Sequence, residues 1–312
     1  MELDLFGKPV STFPDDLCSD AMVRLRTTWN IVTRNTVRNA VASFDPSAGA
    51  ELLQGLTALG VAAAKAILGC RAGHGVRIKA DGSPVTPADE TAETIIREGL
   101  ARLAPSLPVV SEEQAERPRP AAGVDYFLVD PLDGTREFIG GRDEYTVNLA
   151  LMFDRAPALG VIVAPALGLI WRGIVGRSAE RLKFSAGHIS QPEPIRTRDR
   201  PAGELIVMVS RSHLDDATRR YLDELPHTRH IACGSSIKFC RLAEGLADHY
   251  PRLGPTHDWD VAAGHAVLAA AGGSVVGWDD ETIVYGTPDL VVPAFFAWGG
   301  PVPTEGALKA GY

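Results

Sequence analysis

The chain has 312 residues, 45% of them hydrophobic and 22% charged, so it can bury a sizeable core as one large domain or two small ones. Its formal net charge of −8 excludes a general nucleic-acid-binding surface, which needs a basic face, but not an anionic substrate held in a cleft with metal ions. The four cysteines form no CxxC pair, so the sequence predicts neither a zinc knuckle nor a redox dithiol.

The N-terminal residues and the sparse cysteines favour a cytoplasmic protein. The first four residues include two acidic ones and lead into no apolar run, which argues against a secretory signal. The most apolar early stretch, 52–68, contains Gln54, Thr57 and Lys65, so we expect it to be too short and too polar to span a bilayer. We expect no integral membrane segment. Peripheral attachment to the inner membrane, and a monomeric or homodimeric state, stay open.

The first half of the chain predicts two helices followed by strands. Residues 1–46 form an N-terminal extension whose arginines, alternating with Val and Ile, suit a helix lying on the main body. An Ala/Leu-rich helix is predicted over 50–70, and a second runs from Thr86 to Leu103 with Thr86 as N-cap and proline at its first position. Strands are then predicted at 108–110, 126–129, 145–152, 160–163 and 169–174.

A segment rich in Pro, Arg and Gln, 187–203, predicts a crossover into a second half where strands and helices alternate. The predicted elements are a strand at 205–209, helices at 215–225, 235–246 and 261–271, and a strand at 274–276. The expected fold class is therefore α/β. We divide the chain into an extension (1–46), an α+β half (47–186), an α/β half (187–300) and an irregular tail (301–312).

The segment 126–135 carries the clearest chemical signal. An apolar strand ends at Asp130, Pro131 stiffens the turn, and Asp133 returns a second carboxylate to the same side. Both carboxylates and the Leu132 carbonyl could then face one hard cation, and such all-oxygen ligation suits Mg²⁺. In the Gly-Thr pair that follows, glycine permits close approach to a phosphate, and a helix starting there would offer free N–H groups. A plain Asp-Gly turn is the alternative.

Three more acidic places stand out along the chain: Asp89, the pair Glu112-Glu113, and Asp260. Each has a structural alternative, because Asp89 completes a helix-capping pattern with Thr86, the glutamates could be a common loop-end pair, and Asp260 could be an N-cap. Several carboxylates gathered in one place repel one another unless cations separate them. Two metal ions would also stabilise the attacking and leaving oxygens of a phosphoryl transfer. The pattern therefore predicts a metal-assisted phosphate hydrolase.

Four motifs, taken in order, resemble the inositol monophosphatase superfamily of Mg²⁺-dependent, lithium-sensitive phosphatases. They are Thr86-Pro87-Ala88-Asp89, Ser111-Glu112-Glu113, Asp130-Pro131-Leu132-Asp133-Gly134-Thr135 and Trp259-Asp260-Val261-Ala262-Ala263-Gly264. The resemblance covers roughly residues 50–295. It implies an αβαβα sandwich, with helices layered between two sheets and the metals between the two halves.

Other stretches resemble one subgroup, the bacterial 3′(2′),5′-bisphosphate nucleotidases (the CysQ group). They are 81–86, 137–139, 210–213 and the long run 234–255. This resemblance implies hydrolysis of the 3′-phosphate of adenosine 3′,5′-bisphosphate, a by-product of sulfate assimilation, to AMP and phosphate. The sulfated analogue PAPS is a second candidate substrate. Arg136 stands where the subgroup commonly has Lys, which keeps the charge but changes the hydrogen-bond geometry.

Carried over residue by residue, the resemblance implies a site of three parts. Two or three Mg²⁺ ions would be held by Glu112, Asp130, the Leu132 carbonyl, Asp133 and Asp260. Asp89 and Thr135 would orient the attacking water, and the backbone of Gly134 and Thr135 would meet the phosphate being cleaved. The nucleotide and its second phosphate would be bound by His213, Ser235, Lys238 and Arg252, with Asp260 also touching substrate.

The charge of the substrate-binding residues suits a doubly phosphorylated ligand. Lys238, placed one turn into a helix, and Arg252, placed in a loop, supply positive charge that a small monophosphate does not need. Alternatively both are ordinary surface cations and His213 is structural, and we interpret His227 with His230 as a polar turn. The rival functions are a phosphatase of the same superfamily acting on inositol monophosphate or fructose bisphosphate, and a non-catalytic nucleotide- or metal-binding module.

Overall fold

The computed structural model describes residues 46–70, 72–114, 123–185, 188–278 and 280–303. The predicted helix of the N-terminal extension lies outside these residues, as does most of the predicted tail. Those two predictions therefore stay predictions, and so do the boundaries of the four segments.

Two helices cover one side of the molecule, α1 (Pro46–Gly69) and α2 (Pro87–Leu103). The predicted start of α2 is confirmed: the hydroxyl of the N-cap Thr86 accepts the Ala88 N–H, and the Asp89 carboxylate accepts the Thr86 N–H. Residues 49–69 of α1 are long and apolar enough to cross a bilayer, contrary to the prediction. However, 56% of the apolar 18-residue stretch within it is buried against the rest of the chain, as expected of a core helix.

A short hairpin, β1 (Arg77–Ile78) with β2 (Pro84–Val85), precedes the first large sheet. That sheet has the strand order β10-β8-β7-β6-β5-β4-β3, with β9 paired to β8. Only β3 and β4 run parallel among these described strands. Its strands are β3 (Val109–Ser111), β4 (Tyr126–Asp133), β5 (Thr146–Phe153), β6 (Ala156–Ala164), β7 (Leu169–Ile174), β8 (Ser178–Ser185), β9 (His188–Ile189) and β10 (Glu193–Ile195).

The second sheet has the order β12-β11-β13-β17-β15, in which β12, β11 and β13 are parallel. Its strands are β11 (Leu205–Ser210), β12 (Thr228–Cys233), β13 (His249–Arg252), β15 (Ser274–Gly277) and β17 (Phe295–Trp298), while β14 (Thr256–His257) pairs with β16 (Val291–Val292). The remaining helices are α3 (Thr135–Ile139), α4 (Asp216–Glu224), α5 (Ile237–Ala243) and α6 (Asp258–Ala270).

Three hydrophobic cores stack these elements into five layers. The first core joins α1 and α2 to one face of the first sheet, through residues such as Leu56 and Val161. The second joins the opposite face of that sheet to α5, α6 and the second sheet, and it includes Trp171 and Phe239. The third packs α4 on the outer face of the second sheet through Tyr221. The order helix, sheet, helix, sheet, helix confirms the predicted αβαβα architecture.

Several predicted boundaries are wrong for local reasons. The segment 187–203 contains β9 and β10, which extend the first sheet, so it is not wholly a crossover. The helix predicted at 235–246 spans only Ile237–Ala243, because Ser235 has a left-handed φ of 47° that a helix interior excludes. The pair His227 and His230 is no polar turn, since His230 lies within β12.

Candidate active site

The parallel pairing of β3 and β4 brings the first two carboxylates together. The carboxyl ends of parallel strands meet at one edge of a sheet. Ser111 lies opposite Val129 in the register, so Glu112 and Asp130 are the next residues on neighbouring strands. The Glu112 N–H donates to the Val129 carbonyl at 3.2 Å, which continues this alignment one residue past the strand.

A bulge in β4 turns the chain between the two aspartates of the Asp-Pro-Leu-Asp motif. Asp130 lies opposite Asn148 and Asp133 opposite Thr146, so three steps along β4 match two along β5. The extra residue bends the strand and redirects its side chains. The strand predicted at 126–129 therefore continues through the motif, and the bulge separates its two carboxylates.

The third carboxylate is that of Asp260, which lies on α6. Its Oδ2 accepts the His257 N–H at 3.0 Å and the Thr256 hydroxyl, which forms the capping box of that helix. Because the helix begins at Asp258, Asp260 is the third residue of α6. The alternative that Asp260 is the N-cap of this helix is therefore wrong. With one oxygen committed to the cap, the other is left to face the cavity.

Glu112, Asp130 and Asp260 form a carboxylate cluster in which one oxygen of each residue lies within 4.8 Å of the others. Burial raises the pKa of Glu112 to about 7, opposed by Lys79 and reinforced by Asp260. Burial and the neighbouring acids raise the pKa of Asp130 well above its ordinary value. Lys79 on the β1–β2 hairpin donates to Glu112 at 2.8 Å and to Glu113 at 2.6 Å.

The buried oxygen of Asp130 fits a metal ligand. Its Oδ1 accepts the Leu132 N–H at 3.0 Å, whereas its Oδ2 is buried and has no hydrogen-bond partner among the described residues. A buried polar atom of this kind costs free energy unless something satisfies it. The cluster consists of hard oxygen donors that repel one another. A divalent cation such as Mg²⁺ would supply the missing contact and relieve the repulsion.

Asp133 lies beside the carboxylate cluster, outside its group of three, and is fixed by hydrogen bonds of its own. Its Oδ2 accepts the Ser236 N–H at 2.7 Å, the Ser236 hydroxyl at 2.8 Å and the Asn148 amide at 3.2 Å. Burial and Asp260 raise its pKa, while Lys238 and these hydrogen bonds lower it. Neither Ser236 nor Asn148 was predicted from the sequence as a site residue. Adjacency to the chosen Ser235 could have suggested Ser236, but nothing local marks Asn148 inside β5.

Asp89 combines its structural and its predicted functional contacts. Its Oδ2 accepts the Thr86 N–H and hydroxyl in the capping box, and its Oδ1 lies 3.1 Å from the Thr135 hydroxyl. That hydroxyl is also 3.1 Å from the Leu132 carbonyl. Gly134 precedes it with φ 90°, and a Cβ there would lie 3.1 Å from the Glu144 carbonyl, so the turn requires glycine. The predicted Asp89–Thr135 pair is thus brought together.

The residues predicted to bind the nucleotide gather at the carboxyl edge of the second sheet. His213 follows β11, Ser235 follows β12, and Arg252 is the last residue of β13, not a loop residue as predicted. Lys238 is the second residue of α5, and its ammonium lies 5.2 Å from the centre of the Tyr250 ring. Its exposure is only 4%, which rules out an ordinary surface cation. Burial, with Arg252 and Arg136 nearby, lowers the pKa of His213.

One cavity of about 420 Å³ joins the carboxylate cluster to these basic residues. Among the described residues, every predicted site residue lines it except Asp89, which lies behind Thr135. The predicted residues that line it are Glu112, Asp130, Leu132, Asp133, Gly134, Thr135, His213, Ser235, Lys238, Arg252 and Asp260. The predicted residues therefore converge on one cavity, and we call the part lined by the carboxylates its acidic end and the part lined by the basic residues its basic end.

Comparison with known proteins agrees with this geometry. A model of the inositol monophosphatase family matches residues 50–309. The 3′(2′),5′-bisphosphate nucleotidase CysQ of Salmonella typhimurium is 46% identical over 212 residues, covering 66% of this chain and 81% of that protein. Its namesake from Escherichia coli K12 is 45% identical over 212 residues, with the same coverage of 66% and 81%.

A solved structure also matches across most of the chain. The crystal structure of CysQ from Bacteroides thetaiotaomicron, described as a bacterial member of the inositol monophosphatase family, has a TM-score of 0.70 and 32% identity. The match covers 81% of this chain and 98% of the Bacteroides protein. The resemblance seen in the motifs is thereby confirmed, and this chain belongs to the inositol monophosphatase family.

Proposed function

We propose that this protein is a Mg²⁺-dependent 3′(2′),5′-bisphosphate nucleotidase that hydrolyses the 3′-phosphate of adenosine 3′,5′-bisphosphate to AMP and phosphate. The observation that carries the proposal is a cavity of about 420 Å³ that is lined both by the carboxylate cluster and by the basic residues His213, Lys238 and Arg252. A substrate with two phosphates can occupy both ends at once, whereas a small monophosphate needs only the acidic end. The name of the CysQ relatives supports the same substrate class.

At the acidic end, Glu112, Asp130, Asp133, Asp260 and the Leu132 carbonyl would hold two or three Mg²⁺ ions. When bound, Mg²⁺ supplies positive charge that offsets the charge of the phosphate and acidifies water. Asp130 offers the oxygen that otherwise has no partner among the described residues. Asp133 has Oδ2 held by Ser236 and Asn148, so its Oδ1 would be the oxygen available to a cation.

Asp89 and Thr135 would orient the attacking water. The Thr135 hydroxyl lies 3.1 Å from the buried Asp89 carboxylate and can donate a hydrogen bond to it. The lone pairs of the hydroxyl would then be turned toward the water. The N–H groups of Gly134 and Thr135 would meet the phosphate being cleaved. Holding the water and the phosphate in line removes much of the entropic barrier of the reaction.

At the basic end, His213, Ser235, Lys238 and Arg252 would bind the phosphate that is not cleaved. The buried ammonium of Lys238 now donates to backbone carbonyls at Ser235 and Cys233. The Nε of Arg252 is buried and has no partner among the described residues, so both cations have donors to offer an anion. PAPS, which keeps the 3′-phosphate, would enter by the same two ends.

The test is a comparison of kcat/KM for adenosine 3′,5′-bisphosphate and inositol 1-phosphate, both with Mg²⁺. A clear preference for the nucleotide supports the proposal, and a preference for the inositol ester refutes it. Binding of Mg²⁺ and nucleotide without turnover of either compound would instead indicate a non-catalytic module. With this function we also propose inhibition by lithium, a place in sulfur metabolism and a cytoplasmic location, in a monomer or homodimer.

A further inference from the structure

Two loops of the second half carry the basic end of the cavity, and carboxylates from the first half hold both. One loop follows β11 and contains His213, and the other follows β12 and contains Ser235. The carboxylates are Glu137 in α3 and Glu144 in the turn between α3 and β5. Glu137 belongs to a stretch that marks the nucleotidase subgroup, yet the proposed mechanism gives it no role.

Glu144 fastens both loops at once. Its two oxygens accept Nε and Nη2 of Arg211 at 2.7 Å each, and Oε2 also accepts the Gly234 N–H at 2.9 Å. Arg211 donates in addition to the Ala232 carbonyl at 2.7 Å, so it ties the end of β12 to the same carboxylate. Burial raises the pKa of Glu144, but the hydrogen bonds from Arg211 and Gly234 lower it on balance, which keeps the group ionised.

Glu137 adds a second contact beside the first, and this one is partly buried. Its Oε1 accepts the Ser212 hydroxyl at 2.5 Å, and its side chain is 3% exposed at the wall of the cavity. Gly234 fits between the two glutamates, because a Cβ there would lie 2.9 Å from Glu137 Cγ and 2.6 Å from the Glu144 carbonyl. The second loop is therefore pressed directly onto the first half, in the chain segment that follows Asp133.

We propose that Glu137, Glu144, Arg211 and Ser212, here called the loop clamp, are positioning residues that set nucleotide selectivity. The clamp fixes the separation between the carboxylate cluster and the basic end, which matters only to a substrate that occupies both ends. A monophosphate bound at the acidic end alone is insensitive to this separation. The inference rests on the proposed function and gives it a structural cause for selectivity.

The experiment compares adenosine 3′,5′-bisphosphate with adenosine 3′-monophosphate, which has the same scissile ester and base but no second phosphate. The variants are Arg211→Ala, Glu144→Gln and Ser212→Ala. Because the Arg211–Glu144 ion pair is partly exposed, its loss should lower kcat/KM for the bisphosphate about fivefold in the first two variants, mainly through KM, and less in Ser212→Ala. Values for the monophosphate should stay within about twofold of wild type.

Arg229→Ala is the matched control. Arg229 and Glu204 form an exposed ion pair at 3.7 Å that links β12 to the residue before β11, at the opposite ends of the same two strands. The control variant should have wild-type kcat/KM for both substrates. Melting temperatures show which variants are folded. Ser212→Ala, the mildest change, keeps the test open if a charge variant does not fold.

Each outcome bears on one of the two proposals. Equal losses on both substrates, or no loss on either, overturn the clamp while the wild-type preference for the bisphosphate keeps the nucleotidase assignment. A wild-type enzyme with no preference for the bisphosphate defeats the nucleotidase assignment, and the clamp falls with it. A loss confined to the bisphosphate supports the clamp.

Discussion

Replacing Ser236 by alanine removes the hydroxyl that holds Asp133 in place. This hydroxyl donates to Asp133 Oδ2 at 2.8 Å, accepts the Asn148 amide at 2.8 Å, and lies 3.1 Å from the Asp260 carbonyl. It therefore links β4, β5 and α6 at one buried point. Without it, Asp133 keeps three donors: the backbone N–H of residue 236 at 2.7 Å, the Asn148 amide at 3.2 Å and the Thr146 hydroxyl at 3.5 Å.

The magnitude follows from the loss of one hydrogen bond to a charged group. Such bonds contribute about 1.5–3 kcal/mol, and the three remaining donors place this case at the low end. A loss of about 1.5 kcal/mol corresponds to roughly a tenfold change in an equilibrium constant. That agrees with the roughly 10–100-fold loss of metal affinity expected when a partner of a ligand is removed. We therefore expect the half-saturating Mg²⁺ concentration to rise about tenfold.

The assay is a Mg²⁺ titration of the initial rate, repeated without substrate as a titration of the melting temperature. Ser235→Ala is the control, because it removes the neighbouring hydroxyl, whose oxygen has no partner among the described residues. We expect that change to raise KM for the nucleotide and leave the Mg²⁺ dependence unaltered. Ser236→Ala protein with wild-type Mg²⁺ half-saturation in both titrations would refute the positioning of Asp133 by Ser236.

Three further changes test the metal cluster and the cores. Asp130→Asn should abolish turnover and the Mg²⁺-dependent rise in melting temperature while the metal-free protein stays folded, and wild-type-like rates would exclude Asp130 as a ligand. His249 is fully buried and burial lowers its pKa from 6.5 to about 3, so the unfolded chain binds a proton that the folded chain does not. Stability should therefore fall as the pH drops below 6.5, by about 1.4 kcal/mol at pH 5.5, and denaturant titrations of His249→Gln should lack this component. Gly264→Ala should lower stability by about 1–3 kcal/mol, because its Cβ would lie 2.3 Å from the Phe239 ring, whereas Gly203→Ala, with nothing within 4 Å, should be neutral.

Part of the acidic end was predictable because Asp130 and Glu112 each follow an apolar run in the sequence. An apolar run followed by Asp130, and another followed by Glu112, needs only parallel pairing to bring the two carboxylates together. The role of Asp89 could not be separated from helix capping in the sequence. The structure shows why, since one oxygen of its carboxylate serves the cap and the other faces Thr135.

The partners of Asp133 were not predictable, because they come from distant elements. Asn148 and Ser236 are separated by 88 residues and meet only when α5 docks against the first sheet. Neither residue type marks a metal site by itself. Residues that orient a metal-binding side chain, unlike the metal-binding residues themselves, leave no pattern in a single sequence.

The missed strands and shifted helices have simpler causes. Four successive residues of β12 are exposed, so the strand shows no alternation of apolar and polar side chains. The helix α6 begins at Asp258 behind the N-cap His257, which is not among the residues favoured at that position, so its start was placed too late. The early end of α5 is followed by Gly245 with φ 70°.

The most direct test of the central claim is the identity of the product formed from adenosine 3′,5′-bisphosphate with Mg²⁺. If the carboxylate cluster takes the 3′-phosphate while Lys238 and Arg252 hold the 5′-phosphate, the products are AMP carrying a 5′-phosphate and one equivalent of inorganic phosphate. Chromatography against both adenosine monophosphates distinguishes the outcomes. Accumulation of adenosine 3′-monophosphate, or no release of phosphate, would contradict the account.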